Sequence, residues 1–241
     1  MRRVLILGGT AEARALAAEL LGHCHVVSSL AGRVTNPRLP VGEVREGGFG
    51  GPDGLAAWLA AERIDAMVDA THPFAARMSA SAAEASATNG VPLLTLRRPG
   101  WREGPGDAWE RVGSLRAAAD LLGHGDRVFL TTGRRSLPVF TVLPGVWLLA
   151  RSVDPPDPPV PGNVHVLLDR GPYTLEGELA LIREHRLDVL VTKDSGGSMT
   201  TAKLLAAREL GLRVIMVDRP PPPAGVRLVE SVAEAAVWAQ G

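Results

Sequence analysis

The stretch "VLILGGTAEARALAAEL" (residues 4–20) joins an apolar run to an Ala-rich helical pattern through Gly8, Gly9 and Thr10. A strand, a glycine turn and a helix in this order are typical of dinucleotide-binding domains. Aligned with the fingerprint G-x-G-x-x-G, the chain has Gly8, Thr10 and Ala13, so threonine and alanine replace two glycines. The stretch predicts either a phosphate-binding turn, with Thr10 as helix cap or phosphate ligand, or a tight turn with a purely structural role.

Composition limits the class of protein. The chain has 241 residues, 46% of them hydrophobic, which is enough for one large α/β domain or two small ones. Lys plus Arg and Asp plus Glu both total 26, so no overall charge favours nucleic acid or a membrane surface. The single cysteine, Cys24, excludes an intramolecular disulfide and fits a reducing compartment. We therefore expect a soluble cytoplasmic protein without nucleic-acid or membrane partners.

Short apolar runs alternate with helical patterns in two sets, which predicts parallel strands joined by crossover helices. The fold class expected is α/β, with two Rossmann-like domains whose parallel sheets are flanked by helices, and with cofactor and substrate in the interdomain cleft. The expected strands are "RVLILGG", "HVVSSLAG", "EVREGG", "DAMVDAT" and "VPLLTLRR", then "DRVFLTTG", "GVWLLARS", "NVHVLLDRG", "LDVLVTKDSGG" and "LRVIMVDRP". The expected helices lie near residues 11–21, 53–62, 74–88, 114–122, 174–185, 198–210 and 230–239.

The segment "RRPGWREGPGDAW" (residues 97–109) interrupts this pattern with Gly, Pro and charged residues. Such a composition is typical of a linker. We expect a dinucleotide-binding domain over residues 1–112, including a linker over 97–112, and a second α/β domain over residues 113–241.

The end of the second predicted strand bears on the choice of cofactor. An NAD site usually has Asp or Glu there to bind the ribose hydroxyls. This chain has Ser28 and Ser29, followed by Arg33. Two hydroxyls and an arginine suit a 2′-phosphate and favour NADP. In the alternative, the serines cap a turn and Arg33 is a solvated surface charge.

The segment "DATHPFA" (residues 69–75) ends the fourth strand and places Pro73 in the first turn of a helix, where the missing N–H is tolerated. Thr71 and His72 then face the ligand crevice. His72 is either a proton donor or cofactor contact, or a helix cap.

Two further segments, "TTGRR" (residues 131–135) and "TKDSGGSMTTAK" (residues 192–203), follow strands of the second set. The latter brings Lys193, Asp194, Ser195 and two glycines into one turn, a combination that suits an oxyanion. The alternative is a structural glycine turn flanked by surface charges. His23, Cys24 and His25 cannot form a good three-ligand site on one strand, and we expect no metal.

In this order and approximate spacing, "LILGGTAEARALA", "SSLAGR", "DATHPFA", "TTGR" and "TKDSGG" resemble the precorrin-6A reductase family. The resemblance implies an NADPH-dependent oxidoreductase of cobalamin biosynthesis that reduces one double bond of a corrin precursor, a step of porphyrin metabolism. It also implies a tetrapyrrole substrate and suggests handover to neighbouring pathway enzymes. Relatives in the anaerobic branch act on cobalt-precorrin-6A. The missing acidic residue favours NADPH but leaves the branch open.

The resemblance implies a set of cofactor-binding residues, which are Gly8, Gly9, Thr10, Glu12, Ala13, Ser28, Ser29, Arg33, Thr71, His72, Pro73, Thr132, Gly133, Arg134, Lys193, Asp194, Ser195 and Gly196. A precorrin carries many carboxylates, so cations near the expected cleft are candidates to bind it. These are Arg97, Arg98, Arg134, Arg135 and Lys203.

Hydride transfer also needs a proton for the neighbouring carbon. The candidate donors are His72, Asp194 and a solvent molecule, and the candidate catalytic residues are His72, Lys193 and Asp194.

Two other functions fit the sequence less well. A short-chain reductase would carry a Tyr-x-x-x-Lys pair, but Gly177 stands four residues after Tyr173. A non-catalytic NADP-binding sensor would not need the second cation-rich loop.

Overall fold

In the computed structural model, which describes residues 1–32, 35 and 37–241, the opening apolar run forms strand β1 (Arg3–Leu7). Parallel neighbours pair with it on both sides, namely β2 (His25–Leu30) and β4 (Ala66–Asp69). Leu7 lies opposite Ser29 on one side and opposite Asp69 on the other. The carboxyl ends of the three strands therefore meet at one edge of the sheet, where the glycine turn follows β1.

Residues 1–99 and 220–241 form the first of two units. Its parallel sheet has the order β3-β2-β1-β4-β5-β12, which matches the strand order of Rossmann domains. The other strands are β3 (Glu43–Glu46), β5 (Leu93–Leu96) and β12 (Arg227–Val229), and the helices are α1 (Ala11–Glu19), α2 (Pro52–Ala61), α3 (Ala76–Asn89) and α8 (Val232–Gln240).

Both faces of the first sheet are covered. Val4 and Ile6 belong to a core cluster with residues of α1 and α8, whereas Leu5 and Leu7 belong to one with residues of α2 and α3. Successive strand side chains point to opposite faces, so a strand covered on both faces must be apolar throughout. This is why "VLIL" (residues 4–7) shows no alternation.

Residues 100–219 form the second unit, whose parallel sheet has the order β9-β8-β7-β10-β11-β6. Its strands are β6 (Trp109–Val112), β7 (Arg127–Leu130), β8 (Trp147–Ser152), β9 (Val164–Leu168), β10 (Val189–Lys193) and β11 (Arg213–Val217). Its helices are α4 (Leu115–Asp120), α5 (Leu137–Thr141), α6 (Leu175–Glu184) and α7 (Ala202–Leu210). The predicted class, α/β with two parallel sheets flanked by helices, is confirmed.

The chain is divided differently from the expected boundary near residue 113. Part of the expected linker is strand β6, whose Trp109 pairs with Val214 of β11 at the edge of the second sheet. Residues 220–241 belong to the first unit, because β12 pairs with β5 and α8 packs on α1. The chain therefore leaves the first unit after Pro99 and returns to it at Pro220.

The structure differs from the predicted elements at three further places. Pro73 lies in a turn in which the Ala75 amide donates to the carbonyl of His72, and α3 begins only at Ala76. A 3₁₀ turn (Arg134–Ser136) and α5, which the sequence pattern did not indicate, follow β7. His23 lies in a turn before β2 rather than on the strand.

The placement of α8 can be tested with a charge on its buried face. Ala235 is fully buried in the core of the first unit, so Ala235→Glu should lower that unit's free energy of unfolding by about 3 kcal/mol or more. Val237 on the same helix is 74% exposed, and Val237→Glu should change it by no more than about 0.5 kcal/mol. Hydrogen exchange should accelerate in β1 and β4. Acceleration confined to β10 and β11 would assign α8 to the second unit.

Candidate functional site

The glycine turn after β1 is tied to the end of β2. The amide of Gly8 donates to the carbonyl of Ser29 at 2.9 Å, and Gly9 has a φ of +104°, which favours glycine. Thr10 caps α1, since its hydroxyl oxygen accepts from the amide of Ala13 at 3.1 Å. The turn therefore points the amino end of α1, the positive end of the helix dipole, at the carboxyl edge of the sheet.

The side chains of this turn are already engaged with the protein. The Thr10 hydroxyl also donates to the carbonyl of Ala70 at 2.7 Å, so its proton is not available to a phosphate in this arrangement. Glu12 forms an ion pair with Arg98 at 2.7 Å, which connects a predicted cofactor residue with a predicted substrate residue. Ala13 is buried in the core. Since the Gly8 amide already donates to Ser29, the glycine amide that remains for a phosphate is that of Gly9.

Both serines at the end of β2 are buried. The Ser28 hydroxyl finds no hydrogen-bond partner in the described part of the chain, and Ser28 lines a small cavity with Gly8, Gly9 and Arg38. The Ser29 hydroxyl accepts from the guanidinium of Arg45 at 3.1 Å. No carboxylate occupies these two positions. Arg33, expected here, lies outside the described residues.

Arg45 of β3 is a residue that the sequence analysis missed. Its guanidinium lies 3.8 Å from the ring centroid of Phe49 and donates to the carbonyls of Gly47 and Gly48. Burial lowers the pKa of this guanidinium. Arg45 thereby connects the end of β2 with the loop that follows β3.

A pocket of about 150 Å³ follows β4 and β5 in the first unit. Its lining includes Asp69, Thr71, His72, Thr95 and Arg97, with prolines 220–223 along one wall. The Thr95 hydroxyl is buried and has no hydrogen-bond partner among residues 1–32, 35 and 37–241. The pocket therefore offers a ligand the hydroxyl of Thr95.

The segment after β4 is shaped by its own side chains. Asp69 accepts from the amide and the hydroxyl of Thr71, the latter at 2.7 Å. His72 is exposed, and its Nδ1 accepts from the amide of Phe74. Pro73, which also lines the pocket, is buried.

In the second unit, Lys193 at the end of β10 reaches the end of β7. Its ammonium donates to the carbonyl of Thr132 at 2.7 Å, and burial lowers the pKa of this lysine. The Thr132 hydroxyl accepts from Ser136 at 2.6 Å, and Gly133 between them has a φ of +89°. The carboxyl ends of β7 and β10 thus hold a partly buried cation at the position where strand order reverses in the sheet.

Asp194 serves as an anchor for the surrounding chain. Its buried carboxylate accepts from the amide of Trp101 at 2.9 Å and forms ion pairs with Arg111 at 2.7 Å and Arg219 at 3.5 Å. A Cβ added at Gly100 would lie only 2.7 Å from Oδ2 of Asp194, so the approach is close. These contacts favour a positioning role over the predicted catalytic one.

The predicted substrate cations have different environments. Arg97 lines the first-unit pocket, and Arg98 is paired with Glu12. Arg134 donates to the carbonyl of Pro155 at 3.0 Å, and Arg135 is exposed. Lys203 is buried, which argues against its predicted contact with substrate carboxylates.

Ser195 and Gly196 continue the turn after Asp194. The Ser195 amide donates to the carbonyl of Lys193 at 2.7 Å, and Gly196 has a φ of +65°. Within the described residues, no group of three or more His, Cys, Asp or Glu side chains could hold a metal ion. The helices described there are also too short or too polar to span a membrane.

The anchoring role of Asp194 predicts a large effect on stability. Asp194→Ala leaves Arg219 and Arg111 without this partner and should lower the free energy of unfolding of the second unit by about 3 kcal/mol. Asp218, the exposed second partner of Arg111, provides the control, and Asp218→Ala should lower it by at most about 1 kcal/mol. Chemical denaturation measures both, with hydrogen exchange of β10 amides reporting on the second unit. Equal effects would refute the anchor.

The chain matches known proteins over nearly its whole length. Residues 3–240 match the family model described as "Precorrin-6x reductase CbiJ/CobK". The chain is 54% identical to the precorrin-6A reductases of Rhodococcus erythropolis (99% of this chain and 97% of the relative) and Mycobacterium tuberculosis (100% and 98%). A cobalt-precorrin-6A reductase from Priestia megaterium is 32% identical, over 90% of each chain.

A solved structure titled "CobK precorrin-6A reductase" agrees with the fold. It superposes with a TM-score of 0.92 at 41% identity and covers 99% of this chain and 96% of that one. Together with the family model, this establishes that the chain belongs to the precorrin-6x reductase family of oxidoreductases.

Proposed function

We propose that the protein reduces one double bond of precorrin-6A, with NADPH as the hydride source, to give the dihydro product precorrin-6B in cobalamin biosynthesis. The observation that carries the proposal is the end of β2, which joins the glycine turn through the Gly8 amide. This position has Ser28 and Ser29, with Arg45 beside them, in place of the carboxylate that suits NADH. Identity to precorrin-6A reductases, 54%, exceeds the 32% to a cobalt-precorrin-6A reductase and favours the metal-free substrate.

The residues after β1 and β2 fit a phosphorylated dinucleotide. We assign the pyrophosphate to the Gly9 amide and the amino end of α1, where the helix dipole favours an anion, while the Gly8 amide holds the turn to β2. Ser28 has a buried hydroxyl that finds no partner among the described residues and is suited to the adenosine ribose or its phosphate. Arg33 and Arg45 supply the positive charge. Thr10 and Ala13 shape the turn, while Glu12 acts through Arg98.

We assign the pocket after β4 and β5 to the nicotinamide end of the cofactor. Thr71, His72 and Pro73 line it. The Thr95 hydroxyl, which has no hydrogen-bond partner among the described residues, suits a carboxamide. Small residues of α3 (Ala76, Ser79 and Ala80) leave room for a flat ring. In this assignment His72 contacts the ligand from the pocket wall, while its Nδ1 accepts from the Phe74 amide.

Bound NADPH supplies a hydride to one carbon of the double bond, and the neighbouring carbon must take up a proton. We assign the donation of that proton to Lys193. Its ammonium is held by Thr132, and burial lowers its pKa, which makes it a stronger acid than an exposed lysine. Asp194 positions this segment, as its oxygens accept from Trp101, Arg111 and Arg219.

The carboxylates of the substrate need cations near the reacting atoms. We assign this role to Arg97, Arg134 and the exposed Arg135. Lys203 is buried and is therefore not assigned to the binding of substrate carboxylates. Planar guanidinium groups bind carboxylates through two parallel hydrogen bonds. Thr132, Gly133, Ser195 and Gly196 form the backbone of the same two loops and complete the proposed second-unit contacts.

The cofactor assignment predicts a preference for NADPH over NADH, which a carboxylate introduced at position 29 should reverse. The unmodified protein should bind NADPH at least about tenfold more tightly than NADH, equivalent to about 1.4 kcal/mol. Ser29→Asp should weaken NADPH binding at least about tenfold by charge repulsion and leave NADH binding equal or tighter. Ser29→Ala removes the hydroxyl without adding charge and should have a smaller effect. Fluorescence titration measures all three, and tighter binding of NADH by the unmodified protein would contradict the assignment.

The assignment of Lys193 predicts a defect in kcat and a change in its pH dependence. Lys193→Met should lower kcat by about 100-fold or more. In the unmodified enzyme kcat should fall as pH rises through the lowered pKa of Lys193, because only the protonated amine donates, and Lys193→Met should lack this decline. Lys193→Arg keeps the charge but holds its proton, so kcat should stay low. Full recovery in Lys193→Arg would assign Lys193 an electrostatic role.

The second candidate function is reduction of cobalt-precorrin-6A, since relatives with that activity belong to the same family. Turnover of metal-free and cobalt-containing substrate, assayed side by side with NADPH, separates the two. We expect a higher kcat/KM for the metal-free substrate. NADPH binding without consumption in the presence of either tetrapyrrole would instead identify a sensor module.

A further inference from the structure

Trp101 holds the loop that follows β10, which we call the β10 loop (Asp194–Thr201). The backbone amide of Trp101 donates to the carboxylate of Asp194 at 2.9 Å. Its indole N–H donates to the carbonyl of Gly197 at 3.0 Å and to the hydroxyl of Thr201 at 3.2 Å. One aromatic residue therefore fixes the beginning, the middle and the end of the β10 loop.

Each aromatic residue that binds the β10 loop carries a buried cation against its ring. Tyr173, whose amide donates to the carbonyl of Met199 at 3.4 Å, has the Arg151 guanidinium 3.6 Å from its ring centroid. Trp101 has the ammonium of Lys203 at 5.1 Å from its ring. Attraction between a cation and an aromatic ring contributes about 0.5 to 2 kcal/mol, more when the pair is desolvated.

The two cations differ in charge compensation. Arg151 forms two hydrogen bonds with the buried carboxylate of Glu178, at 2.5 and 3.1 Å. Lys203 is 5% exposed, and its ammonium has no hydrogen bond or ion pair within the described part of the chain. Burial and the charge of Arg151 lower the pKa of Lys203 to about 7, and the charge of Glu178 opposes them. Tyr173, whose own pKa is raised by burial, completes the titratable groups of this cluster.

The presence of lysine rather than arginine at position 203 supports a side chain that can lose its proton. Of the 26 basic residues, only Lys193 and Lys203 are lysines, and both lie in "TKDSGGSMTTAK" (residues 192–203). Arginine keeps its proton in proteins, whereas a buried lysine can lose it. Both lysines of the chain therefore lie beside the β10 loop, where burial lowers the pKa of each.

We propose that Lys203 is a positioning residue whose charged form holds the Trp101 ring against the β10 loop and whose neutral form releases it. A charged Lys203 attracts the face of the indole, and the indole N–H then fixes Gly197 and Thr201. When Lys203 loses its proton, this attraction disappears while the hydrogen bonds of Trp101 remain. The β10 loop should then open more often, without unfolding of the second unit.

The test follows the indole N–H signals in ¹⁵N–¹H spectra between about pH 5.5 and pH 9. Trp101→Phe identifies the Trp101 signal. In the unmodified protein this signal should move with a midpoint near 7. It should stay fixed in Lys203→Met, which has no charge, and in Lys203→Arg, which never loses it. Trp147, which stacks on His165 and His185, is the internal control, because its signal should be the same in every variant at each pH.

Hydrogen exchange of the β10 loop amides measures the release itself. At each pH, the exchange rate in the unmodified protein is divided by that in Lys203→Arg. The ratio should be near one below the midpoint and rise to between about twofold and thirtyfold above it, which is the range that 0.5 to 2 kcal/mol corresponds to. A Trp101 signal that titrates unchanged in Lys203→Met, or one that does not titrate in the unmodified protein, overturns the proposal. A constant exchange ratio also overturns it.

The consequence for turnover rests on the proposed function, because Lys193 immediately precedes the β10 loop. KM for precorrin-6A should rise with pH in the unmodified enzyme and stay constant in Lys203→Arg, whereas the Lys193-dependent fall in kcat should occur in both. An equal rise of KM in both enzymes would remove the link between Lys203 and substrate binding. The spectra need no substrate, so they test the role of Lys203 even if the reductase assignment fails. The two failures can therefore be told apart.

Discussion

Parallel pairing of a central strand on both of its sides is the constraint on which the rest of this structure depends. Because Leu7 lies opposite Ser29 and opposite Asp69, three strand ends meet, and the segments after them must share one edge. The second sheet repeats the arrangement around β7, with Leu130 opposite Ala150 and opposite Val191. The register of the strands therefore brings the polar residues of each unit to one edge of its sheet, independently of the contacts that their side chains make.

The same constraint explains which strands could be predicted from the sequence. β1 and β10 are central strands, and residues 4–7 of β1 and residues 189–191 of β10 appear as apolar runs without alternation. The edge strands β6 and β12 are short and only partly buried, and "WERV" and "RLV" carry no such pattern. Their identity as strands comes from the exposed edges of β11 and β5 with which they pair. The domain boundary could not be placed correctly without them.

The candidate site was predictable in position but not in its contacts. Residue types at strand ends indicated the segments around Gly8, Ser29 and Lys193, because register places such segments together. Their hydrogen-bond partners come from distant parts of the chain. Arg98 is 86 residues from Glu12, and nothing local in sequence indicates that the two charges form a pair. Arg45 was missed for the same reason, since its role depends on the approach of β3 to β2.

The degree of burial determines which role each cation of the second unit can have. An exposed arginine such as Arg135 is charged at every physiological pH and suits the binding of carboxylates. Arg151 is buried but keeps its charge in a structural pair with Glu178. Lys203 is buried without a carboxylate within ion-pair distance in the described residues, Lys193 is partly buried, and burial lowers the pKa of both. Proton transfer and pH-dependent positioning both need a cation that can become neutral. In a protein with as many acidic as basic residues, such cations arise where folding removes water from a lysine side chain.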